Sequence, residues 1–339
     1  MSDAILVTGG GGFVGAAVVR RLAAVLADRP LRVGGDAIAR HVVALLRPGG
    51  SRERLRDLPP EGPWSVREAD LTRPDDVRAL FEATRPVAVI HTALERAAFA
   101  ERWEQQHEPL VRVPLEAVVA GLARAGGGRL VHTGSAWVLP GGAALDEDTA
   151  EQPASPYARA KALEDRLLPE VAERHGIEWL NLRLFNLYGR YERPERLIPY
   201  LVACLVHGEP ADLSDGNHIR DFTDVDLVSE AYVRALEVPP GAAGRLYHIG
   251  TGRGTSIRAL ASVVAEVTGG AHLLRFGRKA TADGEVPVQV ANIDRARRAL
   301  GWDPPDDLAE RVRGVTRWWL DRFGSRSGSG AIRSEGVRT

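Results

Sequence analysis

Cysteine is nearly absent from the 339-residue chain: Cys204 stands alone. A single thiol excludes an internal disulfide and a cysteine cluster for zinc, so nothing in the sequence calls for an oxidising compartment. Long apolar runs are missing as well. The longest, Leu197 to Val206, is about half of the roughly 20 residues that a membrane-spanning helix needs, and no membrane partner is expected. The opening MSDAILVTGG places Asp3 where a signal peptide carries positive charge and passes at once into a strand pattern. A cytoplasmic location is expected. An excess of either charge is also lacking: 44 basic against 45 acidic residues leave a formal net charge of −1, with no Lys/Arg block to mark a nucleic-acid footprint. No DNA or RNA partner is expected.

What is present is a globular composition, 44% hydrophobic and 26% charged, in a length that suits one large unit or two closely joined ones. The first half alternates short β-branched runs with longer amphipathic patterns, the signature of repeated βαβ units. The runs predict strands over Ala4–Thr8, His41–Leu46, Trp64–Glu68, Ala88–His91, Arg129–His132 and Trp179–Leu184, enough for a doubly wound parallel sheet. Apolar spacing predicts helices over Ala16–Ala27, Pro74–Ala83, Val111–Ala125 and Pro156–His175. Beyond Phe185 the pattern is less regular, with helical stretches near Leu197–Val206, Asp224–Leu236 and Ser256–Thr268. This divides the chain into a dinucleotide-binding unit (1–184), a smaller C-terminal α/β substrate lobe partly interleaved with it (185–322), and a tail (323–339). The tail is rich in Gly, Ser and Arg and too poor in apolar residues to offset the entropy of ordering.

Gly9, Gly12 and Gly15 lie three apart in ILVTGGGGFVG, directly after a strand and at the start of a helix. Without side chains, the backbone turns tightly and approaches a pyrophosphate, whose charge is met by free N–H groups of the helix N-terminus, here around Phe13 and Val14. Glycine-rich loops are often mere turns; the strand–turn–helix setting is what points to a dinucleotide. Tyr157 and Lys161 in SPYARAK are four apart and share one helix face. A tyrosine, with an ordinary pKa of about 10, exchanges a proton near neutrality only beside a cation that stabilises its phenolate, and Lys161 supplies that charge. By itself such a pair is usually a solvated helix face; its place after the glycine loop favours catalysis. Ser135, in LVHTGSAWV, follows a strand at the edge where side chains face ligand. Its hydroxyl suits a bond to Tyr157 and to a substrate oxygen, or merely caps a turn.

Taken together, these motifs resemble the extended branch of the short-chain dehydrogenase/reductase superfamily, which includes sugar-nucleotide epimerases, dehydratases and 4-ketosugar reductases. The resemblance runs from about residue 3 to 320 and adds EADL at 68–71, HTA at 91–93, RLFNLYG at 183–189, DGNHIRDFTDVDLVSEAY, HIGTG at 248–252 and RRALGWDP. It implies a Rossmann sheet and a nucleotide-sugar substrate. It further implies that Asp70, with Leu71, contacts the adenine, that Thr92, Ala93 and Thr133 lie beside the cofactor, that Asn186 contacts the nucleotide sugar and that Arg220 holds the diphosphate. A homodimer is expected. Two family positions differ: the arginine expected before VANIDRARRALGW is Ala282, with Arg278 and Lys279 as stand-ins, and Arg112 and Pro114 lie near an expected helix-opening Asn.

At the end of the second strand, an acidic residue suits the ribose 2′-hydroxyl of NAD and an arginine the 2′-phosphate of NADP. HVVALLR ends on Arg47, favouring NADP; Asp36, about 20 residues after Gly15, keeps NAD as the alternative. The interval Ala27–Arg40 reads as an insertion. Family 4,6-dehydratases carry an Asp-Glu pair after the catalytic Ser/Thr, whereas Ala136-Trp137 stands here, so dehydration is disfavoured. Ketoreduction and epimerisation both proceed with Ser135, Tyr157 and Lys161. The Arg47 argument tips the reading to a 4-ketosugar reductase, with an NAD-retaining epimerase as the alternative and a non-catalytic dinucleotide sensor as the reading from another class. Histidines 91, 132 and 218 are scattered in sequence, and no metal is expected.

Overall fold

The computed structural model describes residues 3–94, 103–242, 245–281 and 285–324. Seven parallel strands form the central sheet: β1 (Ala4–Thr8), β2 (His41–Leu46), β3 (Trp64–Glu68), β4 (Ala88–His91), β5 (Arg129–Ser135), β6 (Glu178–Leu184) and β7 (Arg245–Ile249). Their spatial order is 3-2-1-4-5-6-7. The order reverses beside β1, which opens a crevice at the carboxyl ends of β1 and β4 where this architecture receives ligands.

Alternation along each strand sorts side chains to two faces. Ile5, Val7, Val42, Ala44, Ile90 and Val131 pack beneath α1 (Phe13–Asp28) and two helices from the later part of the chain. Leu6, Val43, Leu45, Val89 and Leu130 pack beneath α2 (Pro74–Thr84), α3 (Trp103–Arg124) and α4 (Pro156–Arg174). A third core joins α5 (Leu197–Val206), α7 (Ile257–Thr268) and α9 (Leu308–Gly324) in the smaller lobe. There, short strands at Thr255–Ser256, Ile219–Arg220, Val288–Ala291 and Gly142–Leu145 form a second sheet. The lobes interleave through it: Gly142–Leu145 comes from the first half of the chain, while β7, α6 (Val225–Glu237) and α8 (Asp294–Leu300) return to the large sheet.

Several expectations need correction. The sheet has a seventh strand, β7, because RLYHI pairs with β6 along its whole length. β5 extends to Ser135. α3 begins at Trp103 rather than Val111 and contains Pro109 and Pro114, so Arg112 and Pro114 lie inside the helix and not at its opening. Each proline reads as a boundary because it lacks a donor and crowds the preceding turn; burial of Val111, Leu115, Val118 and Leu122 overrides that. The interval 27–40 ends α1 and folds into an antiparallel hairpin, Leu31–Val33 with Ala37–Ala39. α9 runs through Gly324 with Phe323 buried; residues 325–339 of the expected tail, and Ala282, lie outside the described residues. Among the described residues no helix is long and apolar enough to cross a membrane.

Candidate active site

The glycine loop closes on itself between β1 and α1. Gly9 adopts φ +68°, and a Cβ there would stand 2.9 Å from the Ala93 nitrogen. At Gly15 a Cβ would lie 2.3 Å from the Gly9 carbonyl oxygen, so this glycine seats the helix against the loop. Gly12 differs: it is exposed, and its Cβ would meet the Gly9 oxygen alone, at 2.9 Å. No side chain caps α1 at Gly12, and its first turn holds no acidic residue. The N–H groups of that turn, from Phe13 to Gly15, are thus presented to an anion, and the loop fits a dinucleotide pyrophosphate. Thr92 turns its hydroxyl to the Thr8 carbonyl at 2.7 Å, and the Ala93 N–H donates to the Thr8 hydroxyl at 3.3 Å, bracing the loop from β4.

Arg47 follows β2 at the same carboxyl edge and is exposed. Arg52, in the loop beyond it, is paired with Glu68 at 3.2 Å. Asp36 is elsewhere. It sits in the turn of the hairpin, which enters β2 from its amino end: Arg40 and His41 donate to the Asp3 carbonyl, and Gly34 approaches Arg129 and Glu178 at the starts of β5 and β6. The sheet therefore stands between Asp36 and the glycine loop. Asp70 lies beyond β3, its Oδ1 accepting from both the N–H and the hydroxyl of Thr72 at 2.9 and 2.7 Å. Those bonds hold its carboxyl below the usual range. Leu71 packs against the second core.

Tyr157 and Lys161 are placed by α4. Ser155 caps it by accepting from the Ala158 N–H at 3.1 Å, and Pro156 pre-sets the first turn. Tyr157 is half-buried in that turn; Lys161, one turn on, is 4% exposed. The Lys161 ammonium donates to the Thr133 carbonyl at 2.9 Å and to Glu164 Oε2 at 2.6 Å, and it lies within electrostatic reach of Tyr157. Thr133 faces its hydroxyl inward to Tyr232 at 2.8 Å, so its carbonyl, and not its side chain, serves this edge. Ser135 closes β5, buried, with Oγ accepting from the Trp137 N–H at 3.3 Å. It caps the turn Ala136–Val138 and still has its own proton to donate.

Asn186 and Arg220 belong to the smaller lobe. Asn186 Nδ2 is 3.5 Å from Gln289 Oε1, and Gln289 Nε2 donates to the Ala136 carbonyl at 2.9 Å, tying the lobe to the turn after Ser135. Arg220 is buried and paired with Glu285 at 2.7 Å. Burial lowers its pKa and Glu285 opposes that. Arg278 and Lys279 anchor their backbones on Leu213, and the Lys279 ammonium lies 4.2 Å from the Tyr200 ring centre. Buried Asp221 accepts from the N–H groups of Thr251, Gly252 and Ala291, pinning the HIGTG turn. His91 and His132 converge after all, rings 5.6 Å apart. Among the described residues no three His, Cys, Asp or Glu form a metal cluster. Sequence reasoning missed Gln289, Asp221 and Tyr232, which arrive from distant segments, and Glu164, whose spacing of three from Lys161 was visible.

The family model for the NAD dependent epimerase/dehydratase family matches residues 5–250. The chain belongs to this family. It is an enzyme of the extended short-chain dehydrogenase/reductase type. It is 28% identical over 352 residues to dTDP-glucose 4,6-dehydratase of Salmonella typhimurium, covering 93% of this chain and 92% of that one. It is also 28% identical over 317 residues to UDP-glucose 4-epimerase of Mycolicibacterium smegmatis, covering 91% and 95%. Among solved structures, dTDP-glucose 4,6-dehydratase from Streptomyces venezuelae, with NAD bound, superposes with a TM-score of 0.80 at 25% identity, covering 96% of this chain and 99% of that one.

Proposed function

We propose that this family member is a nucleotide-sugar oxidoreductase in which Tyr157 moves the proton, Ser135 and Lys161 set its position, and the net reaction is reduction of a 4-ketosugar. The observation that carries the reading is the Lys161 ammonium, buried and anchored one helical turn from Tyr157 at the edge where the glycine loop opens. A bound nicotinamide dinucleotide supplies or takes the hydride. Gly9, Gly12, Phe13, Val14 and Gly15 would hold its pyrophosphate, Asp70 and Leu71 its adenine end, and Thr92, Ala93 and Thr133 its other flank. As negative charge grows on the sugar oxygen, Ser135 and Tyr157 donate to it, which lowers the barrier; in the oxidative direction the phenolate takes the proton. Asn186 and Arg220 would meet the nucleotide sugar, Arg220 by exchanging Glu285 for a phosphate.

Arg47, and not Asp36, stands at the carboxyl end of β2, so NADP is the cofactor that side chain favours, and a dinucleotide consumed in each turnover points to net reduction. Redox-neutral epimerisation with retained NAD is the second reading, favoured by the 4-epimerase among the relatives. Ala136-Trp137 supplies no acid–base pair for dehydration. A cytoplasmic homodimer is proposed with either. The test is turnover of a nucleotide sugar under substoichiometric dinucleotide: one NADPH consumed per product supports the reductase, and many turnovers without consumption establish the epimerase. Under either reaction, Tyr157→Phe should lower turnover about 10²–10⁴-fold with cofactor affinity kept; full activity in that variant overturns the mechanism.

A further inference from the structure

Beneath the proposed catalytic face, the Lys161 ammonium does not stand alone. Glu164, 3% exposed, puts Oε2 at 2.6 Å from it, and the His132 ring, wholly buried, approaches the same oxygen with Nε2 at 3.4 Å. Behind His132 stacks His91, whose Nδ1 lies 2.8 Å from the Thr8 hydroxyl. Lys161 is one of only two lysines in the sequence, and Glu164 is the buried carboxylate that touches it. The chain of groups from Lys161 to Thr8 runs inside the core, every member under 5% exposed.

We propose that Glu164 is a positioning residue which, backed by His132, draws the Lys161 ammonium toward the sheet and offsets its charge, so that Tyr157 yields its proton at a higher pH than the Tyr/Lys pair alone would set. An opposite charge favours an ionised neighbour and a like charge disfavours it. Lys161 favours the Tyr157 phenolate; the Glu164 carboxylate, one group further back, disfavours it. Other groups near the cluster do not take over this role. Burial, and then His132, depress the His91 ring to about 3, leaving it neutral. Asp165 is engaged by Asn181 and Arg183 from β6, and Tyr232 of α6 is bonded to Thr133. Burial pushes the Glu164 carboxyl up, but Lys161 and then His132 outweigh it and hold the group at about 2. The carboxylate is thus charged at every working pH.

This inference rests on Tyr157 being the proton-transfer group, and its test separates the two. Phenolate absorbance near 295 nm is titrated in the full-length protein, with Tyr157→Phe subtracted so that the difference reports one tyrosine. Burial raises Tyr188, Tyr200 and Tyr232 and moves their ionisation to higher pH. Glu164→Gln should shift the Tyr157 step down by about one pH unit, and the acid limb of the oxidative pH–rate profile should move with it. Glu164→Asp, which keeps the charge but withdraws it, should move the step by less in the same direction; it serves as well if the Gln variant fails to fold. An unmoved step overturns the proposal. So does a step that rises while the 13C-lysine signal of Lys161 shows the ammonium losing its proton, for then Glu164 merely keeps the lysine charged. If Tyr157→Phe retains full turnover, the catalytic assignment falls first and the proposal with it.

Discussion

Arg47 illustrates how much one side chain at a strand end decides. It follows the last buried residue of β2, is exposed, and has no ion-pair partner among the described residues, whereas the neighbouring Arg52 is held by Glu68. A guanidinium left unpaired beside a phosphate-binding loop is suited to a 2′-phosphate and costs nothing to reorganise. Arg47→Ala should therefore weaken NADPH binding by about 10- to 100-fold, the roughly 1.5–3 kcal/mol of a charge-assisted contact, and leave NADH nearly unchanged. Titration of both dinucleotides by fluorescence checks this. Equal weakening of the two, or a native preference for NADH, removes the 2′-phosphate assignment. Asp36→Ala, with the sheet between it and the loop, should change neither affinity.

At the scale of the element, α1 shows why its glycines are not equivalent. Val18, Val19 and Leu22 bury the helix under the sheet, so its formation does not depend on Gly12, whose added side chain would meet one carbonyl of the loop and otherwise stand in the open space where the proposed pyrophosphate would bind. Gly12→Val should abolish dinucleotide binding and leave far-ultraviolet circular dichroism unchanged; retained affinity would remove the phosphate role of the loop. This loop was legible in the sequence because its signals are local: three glycines between a buried strand and a helix. Tyr157 and Lys161 were legible for the same reason, since one helical turn brings them together. Fully buried parallel strands write continuous apolar runs, and β1, β2 and β4 begin and end where the pattern placed them; β3, the edge strand WSVRE, does so too although it is only partly buried. β7 was not legible. RLYHI carries an arginine and a histidine in five residues, and it is a strand because β6 lies beside it, a tertiary circumstance that outweighs intrinsic preference. Asp36 shows the converse: counting residues from Gly15 assumes an uninterrupted α1–β2 connection, and the hairpin 31–39 breaks that assumption. Gln289, His132 and Tyr232 belong to the site through long-range packing, which no spacing rule encodes.

At the scale of the whole molecule, the division near residue 184 separates sequence but not structure. The sheet face over Ile5, Val42, Val131, Leu180 and Leu182 is covered in part by residues beyond that point: Val228, Tyr232 and Leu236 of α6, Tyr247 and Ile249 of β7, and Trp302 after α8. Burying each such side chain contributes about 1.5–3 kcal/mol. Six of them together reach the order of 10 kcal/mol, comparable to the roughly 5–15 kcal/mol net stability of a folded protein. Two further losses accompany their removal. Arg129, 1% exposed, donates to the Ala235, Leu236 and Val238 carbonyls at 3.2, 3.1 and 2.5 Å as well as to Glu178 at 2.8 Å, so its guanidinium would lose three of its partners. β6, internal in the intact sheet, would become an edge with an unpaired ladder and three exposed leucines. A fragment of residues 1–184 should therefore fail to fold as the intact chain does: no cooperative thermal transition, strong binding of a hydrophobic dye, weak near-ultraviolet dichroism and no dinucleotide affinity. The full chain, measured alongside, should show a cooperative transition and bind dinucleotide. A 1–184 fragment that melts cooperatively and binds dinucleotide would show that the first unit carries its own core, and that the return of β7 and α6 adds the substrate lobe without completing the first.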